Sequence, residues 1–183
     1  MLDLCTGTGV IPVLLCAKTE ARHITGLEIQ LQMADMARKS VKMNGLENRI
    51  KIDCGDVKDG AKIYPPNSFD VITVNPPYVA ANSGLLNESG TKSIARHEIA
   101  CSLTDIVVLS ARLLKTGGRL YMVHRPGRLA DIFCILRRVH LEPKAMQFAQ
   151  SSAAHEPSLV MVEAVDHGRS GLKVDKVLFL GGR

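Results

Sequence analysis

The chain has 183 residues, 46% hydrophobic and 22% charged, which excludes a disordered or fibrous protein and is enough to bury one ordinary core. No apolar run approaches the roughly 20 residues needed to span a bilayer, so no membrane partner is expected. The net charge of +5 is unevenly placed: residues 91–140 carry 9 Lys/Arg against 3 Asp/Glu, whereas residues 1–90 carry 9 against 10. That excess suggests a polyanionic partner, with a solvated basic surface as the plainer alternative.

In chain order, MLDLC reads as a short strand, followed by a Gly/Thr turn and a helix through about residue 18. The first residues read as strand, not as a signal peptide. HITGLEI is a second strand. LQMADMARKSVKMNG carries Leu31, Ala34, Ala37 and Val41 at helical spacing and stops at Asn44-Gly45. RIKIDCGD and FDVITVN are the third and fourth strands. Residues 98–114 form an amphipathic helix, after which Gly117-Gly118 turn the chain into a fifth strand, GRLYMVH. RPGRLADIFCILRRV is a further helix, and AMQFAQ and SLVMVEAV close the chain as a pair of strands. Strand–helix alternation predicts an α/β fold, a parallel sheet covered on both faces. Without repeats or linkers, residues 1–183 are expected to form a single domain. The longest loop, 79–93, follows the fourth strand directly.

Five cysteines stand at 5, 16, 54, 101 and 134, with no C-x-x-C pair. They are expected to be reduced core thiols of a cytoplasmic protein; neither a disulfide framework nor a metal site is expected.

Asp3-Leu4-Cys5-Thr6-Gly7-Thr8-Gly9 joins the first strand to the first helix. Gly7 and Gly9 permit a tight turn and close approach of a ligand to backbone. Glu28, at the tip of the second strand, stands 19 residues after Gly9. An acidic group at that spacing accepts from the two ribose hydroxyls of an adenosine-type cofactor. At the tip of the third strand, Asp56 can accept from an exocyclic adenine amine. Each piece alone is weak; the three on successive strand tips are far more specific.

These residues resemble the class I S-adenosylmethionine-dependent methyltransferases, with Cys5 where that class usually has its first glycine. The resemblance implies a Rossmann-like, mostly parallel seven-stranded sheet with helices on both faces and a C-terminal antiparallel strand. It implies S-adenosyl-L-methionine as cofactor, held by Asp3, Cys5, Thr6, Gly7, Gly9, Glu28, Ile29, Asp56, Val57 and Asn75. A dehydrogenase is the rival for the Gly-rich turn, but it does not explain the tip of the fourth strand.

That tip is Asn75-Pro76-Pro77-Tyr78, and two prolines cannot continue a strand. A ring-conjugated amine is a poor nucleophile until its nitrogen moves toward tetrahedral geometry. Acceptors on its two N–H bonds favour that shape: the Asn75 side-chain oxygen and the Pro76 carbonyl. Tyr78 offers a face for base stacking, worth on the order of 1–3 kcal/mol. Asn75, Pro76, Pro77 and Tyr78 are thus the candidate catalytic residues. Such a tetrapeptide occurs in methyltransferases acting on adenine N6, guanine N2 and the glutamine amide.

Ile94-Ala95-Arg96-His97-Glu98 and His124-Arg125-Pro126-Gly127-Arg128, with the tetrapeptide, resemble the bacterial tRNA adenine-N6 methyltransferases that modify a valine tRNA next to the anticodon. This resemblance runs from Asp3 to about Val165 and implies a cytoplasmic enzyme that flips a tRNA base into its pocket. Arg96, Arg125 and Arg128 are the expected phosphate contacts, a salt bridge to a nearby acid being equally open for each. His97 and His124 are expected to pack or hydrogen-bond. The family usually carries a helical segment before the first strand; here Met1 abuts that strand, so an open cofactor site and weak activity are expected. The alternatives are a release-factor glutamine methyltransferase, a ribosomal RNA guanine-N2 methyltransferase and a non-catalytic cofactor- or RNA-binding module.

Overall fold

The computed structural model describes residues 1–77 and 101–181. The first seven strands are β1 (Leu2–Leu4), β2 (Ile24–Glu28), β3 (Ile50–Cys54), β4 (Phe69–Val74), β5 (Leu114–His124), β6 (Leu141–Gln150) and β7 (Leu159–Asp166). The helices are α1 (Val10–Lys18), α2 (Leu31–Met43), α3 (Gly60–Ile63), α4 (Leu103–Leu113) and α5 (Leu129–Arg138). The strands line up as β3-β2-β1-β4-β5-β7-β6. From β3 to β5 all pairings are parallel, and β7 is antiparallel to both of its neighbours.

Central strands lose water on both faces, and β1 accordingly reads Leu-Asp-Leu with every residue buried. In β2, Ile24 and Leu27 lie three residues apart and so point to opposite faces. They belong to two separate apolar clusters. One unites Leu27 with Ile106, Leu109 and Leu113 of α4 and Ile132 and Leu136 of α5. The other unites Ile24, Ile50 and Ile52 with Cys16 of α1 and Ala34, Ala37 and Val41 of α2. The buried face of α2 is thus Ala34, Ala37 and Val41, whereas Leu31, expected in the same stripe, is exposed at the first position of the helix, before its turns reach the sheet; the helix stops before Gly45, whose φ is +63°.

The sheet is broader than the seven strands expected: β8 (Lys173–Val174) and β9 (Leu178–Phe179) both pair in parallel with β6, making nine. Two-residue strands leave no periodicity to read. β6 also begins earlier than AMQFAQ. Pro143 sits inside it, opposite Ala164, and the register shifts between Pro143 and Ala145. A proline cannot donate to the ladder, and the irregularity accommodates it. β5 likewise starts before Gly117-Gly118, taking that pair into the strand. Residues 57–63, between β3 and β4, form a 3-10 turn followed by the one-turn α3. Among the described residues no helix is long and apolar enough to cross a membrane.

Candidate active site

The strand order reverses at β1, which has β2 on one side and β4 on the other. In open α/β sheets the crevice beyond the carboxyl ends at such a point is where ligands bind. A cavity of about 360 Å³ lies there, within the range of small-molecule sites. Cys5 and Gly7 reach it from the tip of β1, Glu28 and Ile29 from β2, Gly55, Asp56 and Val57 from β3, and Asn75 and Pro77 from β4.

The turn after β1 is held by its own polar groups. Glu28 is 5% exposed, with Oε2 accepting from the Gly7 N–H at 2.9 Å and Oε1 from the Gln30 N–H at 3.0 Å. Each carboxylate oxygen has a further lone pair, so Glu28 can brace the turn and still accept from a diol. Asp56 Oδ1 accepts from the Lys58 N–H at 2.9 Å and caps the 3-10 turn that carries Val57. Cys5, Gly7 and Gly9 have φ of 57°, 56° and 81°. A side chain in that region costs about 1–2 kcal/mol, which is why a glycine is usual where Cys5 stands.

The two glycines do different work. Gly7 lies on the cavity wall, and a Cβ there would meet nothing within 4 Å among the described residues. A Cβ on Gly9 would lie 3.0 Å from Ala37 Cβ. Gly9 therefore lets α1 and α2 close on each other and is not a lining residue. Asp3 and Thr6 are also off the cavity wall. Asp3 is fully buried and accepts from the Thr6 and Thr73 hydroxyls at 2.6 Å each. Loss of solvent pushes its carboxyl up to about 6, against the pull of those two hydrogen bonds. Asp3 ties the turn to β4 from beneath.

At the tip of β4, Asn75 and Pro77 are exposed on the cavity and Pro76 is buried. Tyr78, Arg96 and His97 lie outside the described residues. His124 is buried, and its Nδ1 accepts from the Arg125 N–H at 2.8 Å, placing the ring proton on Nε2. Burial lowers its pKa, keeping it neutral. Arg125 reaches the Ser158 carbonyl at 3.4 Å, and Arg128 pairs with Asp131 at 2.7 Å.

Sequence reasoning missed Thr8, Leu27, Gln30, Met33, Gly55 and Cys101 on the wall. For Met33 a signal was present: α2 starts three residues after Glu28, so its first turn overhangs the tip of β2. The cysteines are not uniformly core thiols either, since Cys54 and Cys134 are exposed.

The residues suit an adenosine-type ligand: one carboxylate at the tip of β2, one at β3, and a turn whose Gly7 leaves space. The same arrangement defines a Rossmann-like methyltransferase fold. A solved structure of a predicted O-methyltransferase from Agrobacterium tumefaciens superposes with a TM-score of 0.77 at 20% identity, over 98% of this chain and 79% of that one. Residues 1–132 match the family described as methyltransferase small domain, and the chain belongs to that family. A tRNA1(Val) (adenine(37)-N6)-methyltransferase of Porphyromonas gingivalis is 27% identical over 88% of this chain, which spans 64% of that relative's length. A release factor glutamine methyltransferase of Rhodopirellula baltica is 28% identical over 90% of this chain and 57% of its own.

Proposed function

We propose that this chain, working as one methyltransferase domain in the cytoplasm, transfers a methyl group from S-adenosylmethionine to adenine N6 of a tRNA. The observation that carries this reading is the cavity bordered by Gly7, Glu28 and Asp56 on one side and by Asn75 and Pro77 on the other. When bound, S-adenosylmethionine supplies a methyl group already activated on a sulfonium. Glu28 accepts from the ribose hydroxyls and Asp56 from the adenine amine, while Ile29 and Val57 flank the adenosine with apolar surface. The Gly7 turn takes the amino-acid end.

The Asn75 side-chain oxygen accepts one N–H of the incoming amine and the Pro76 carbonyl the other. Both favour the tetrahedral shape that nitrogen needs for attack, and both are set before the substrate arrives, so alignment and fixed dipoles do most of the catalysis. Tyr78 stacks on the flipped base. With S-adenosylmethionine bound, the bond broken would be S–CH3 and the group left behind a neutral thioether; the methylated amine would then release its proton to solvent, so no side-chain base is assigned, and His124 stays a buried, neutral hydrogen-bonding group.

The relative from Porphyromonas gingivalis supports adenine as the acceptor. The basic excess of residues 91–140 suits a nucleic acid. Arg96, Arg125 and Arg128 are the phosphate contacts in this reading, with Arg128 entering them partly neutralised by Asp131. The second reading, a glutamine amide of a release factor, draws on the Rhodopirellula relative and uses the same Asn75 geometry.

The test is to incubate the chain with labelled S-adenosylmethionine and either unmodified total tRNA or release factor, then digest and identify the product. N6-methyladenosine in tRNA is expected. Methylglutamine would replace this reading with the second, and no label in either acceptor would overturn both.

A further inference from the structure

Two thiols that methyl transfer does not use meet on the cavity wall. Cys5 follows β1, and Cys101 immediately precedes Ser102, the N-cap of α4. They are 96 residues apart in sequence, both partly buried, and their sulfurs lie 3.8 Å apart with one thiol donating to the other. Cys5 also holds its thiol in a backbone conformation, φ 57°, that glycine would occupy without strain. Strain retained at a ligand-facing position points to a use for the side chain. The hydrogen bond with Cys101, and after it burial, push the Cys5 thiol up, and the same hydrogen bond holds Cys101 below the ordinary thiol range. Cys101 is therefore the better nucleophile of the pair.

We propose that Cys5 and Cys101 form a reversible dithiol–disulfide pair that closes one end of the cofactor cavity under oxidising conditions. The closure rests on the cavity being the S-adenosylmethionine site. The oxidant is a low-molecular-weight disulfide. The Cys101 thiolate attacks one of its sulfurs, its S–S bond breaks, and the first small thiol leaves and takes a proton. Cys5 then gives up its proton and attacks the Cys101 sulfur, releasing the second small thiol. The protein loses two electrons and two protons, and the small disulfide gains both. Drawing the sulfurs from 3.8 Å to a bond of about 2.0 Å pins the residue before α4 to the tip of β1. That narrows the cavity beside Gly7, where the ligand's amino-acid end is assigned.

The whole chain is equilibrated with reduced and oxidised glutathione at several ratios, mapped by mass spectrometry without reduction, and titrated with S-adenosylmethionine by calorimetry. A Cys5–Cys101 cross-link lacking two hydrogens is expected, with affinity falling about tenfold or more and returning on reduction. In Cys101→Ser the ratio of affinities with and without oxidant stays near one, whatever its absolute affinity. Preferential cross-linking of Cys16, Cys54 or Cys134, or no cross-link at all, would overturn the proposal. So would a cross-linked chain that binds as tightly as the reduced one, and this outcome leaves the proposed function standing. A reduced chain that binds no cofactor would instead remove the reading of the cavity, and the closure with it, even if the cross-link maps as expected.

Discussion

The two sides of the cavity are built on different principles. On the side of β1, β2 and β3, the polar groups are tied into the fold itself. Glu28 holds the N–H groups of Gly7 and Gln30, Asp56 holds that of Lys58, and Asp3 holds the hydroxyls of Thr6 and Thr73. On the side of β4, one buried proline anchors a tip whose neighbours Asn75 and Pro77 are exposed. The first side is a rigid receptor whose shape does not wait for a ligand. The second exposes Asn75 and Pro77 on the cavity. In the proposed function, cofactor binding is thereby separated from chemistry, and substitutions should divide along the same line.

The largest effect is expected at the exposed side. Asn75→Ala removes one of the two acceptors proposed for the incoming amine, and loss of a preorganised group of this kind lowers turnover about a hundredfold to a thousandfold. Cofactor affinity should change little, because Glu28 and Asp56, the carboxylates proposed to hold the cofactor, are braced by the N–H groups of Gly7, Gln30 and Lys58. Single-turnover transfer and calorimetry on the same preparation measure both. Retained turnover would break the comparison, as would affinity lost in step with it.

The next contrast is within the turn. Gly9→Val forces a side chain into φ +81° and against Ala37, which should cost about 3 kcal/mol of stability in urea unfolding through backbone strain and overpacking. Gly7→Ala meets no neighbour among the described residues. It should cost only the backbone strain of about 1–2 kcal/mol and weaken cofactor binding by intruding on the cavity. If the two swapped behaviours, the assignment of one glycine to packing and the other to the ligand would be reversed.

Asp3 tests how firmly the donor side is set. Its pKa is raised from 3.8 to about 6, chiefly by burial, so the folded chain holds this proton more tightly than the unfolded one. The stability from that proton is complete below about pH 4 and is lost as pH rises to about 6. The shift corresponds to about 3 kcal/mol. Asp3→Asn keeps an acceptor and a donor for the two threonines and carries no charge. Across that window the wild type should therefore lose stability that the variant keeps. Parallel profiles of urea midpoint against pH would show that Asp3 ionises as freely inside the protein as outside.

What could be read beforehand divides along similar lines. The order of elements, the stripe of Ala34, Ala37 and Val41, and the tips at Glu28, Asp56 and Asn75 were legible because each rests on local periodicity or spacing. Whether a residue of the Gly-rich turn faces the ligand or the core was not. Asp3 and Gly9 belong to the same motif as Gly7, yet Asp3 turns toward Thr73 of β4 and Gly9 toward Ala37 of α2. Only tertiary neighbours decide that. Cys101 was invisible for the same reason, since its partner Cys5 lies 96 residues away. The strands β8 and β9 exist because the edge of β6 has unpaired backbone groups to offer, and a two-residue segment carries no mark of that.

The smallest effect probes how the exposed side is anchored at its far end. Ser102 and Asp105 form a reciprocal capping box at the start of α4: the Asp105 N–H donates to Ser102 Oγ at 3.1 Å, and Asp105 Oδ2 accepts from the Ser102 N–H at 2.9 Å. Ser102→Ala leaves the Asp105 N–H without its side-chain acceptor, and loss of such a cap costs about 1 kcal/mol. If the donor side is as self-contained as its hydrogen bonds indicate, that loss appears in the urea midpoint and not in cofactor affinity, although Cys101 on the cavity wall is the very next residue. A matching fall in affinity would mean that the start of α4 helps hold the cofactor. The line between the two sides would then run through Cys101 instead of along the tip of β4.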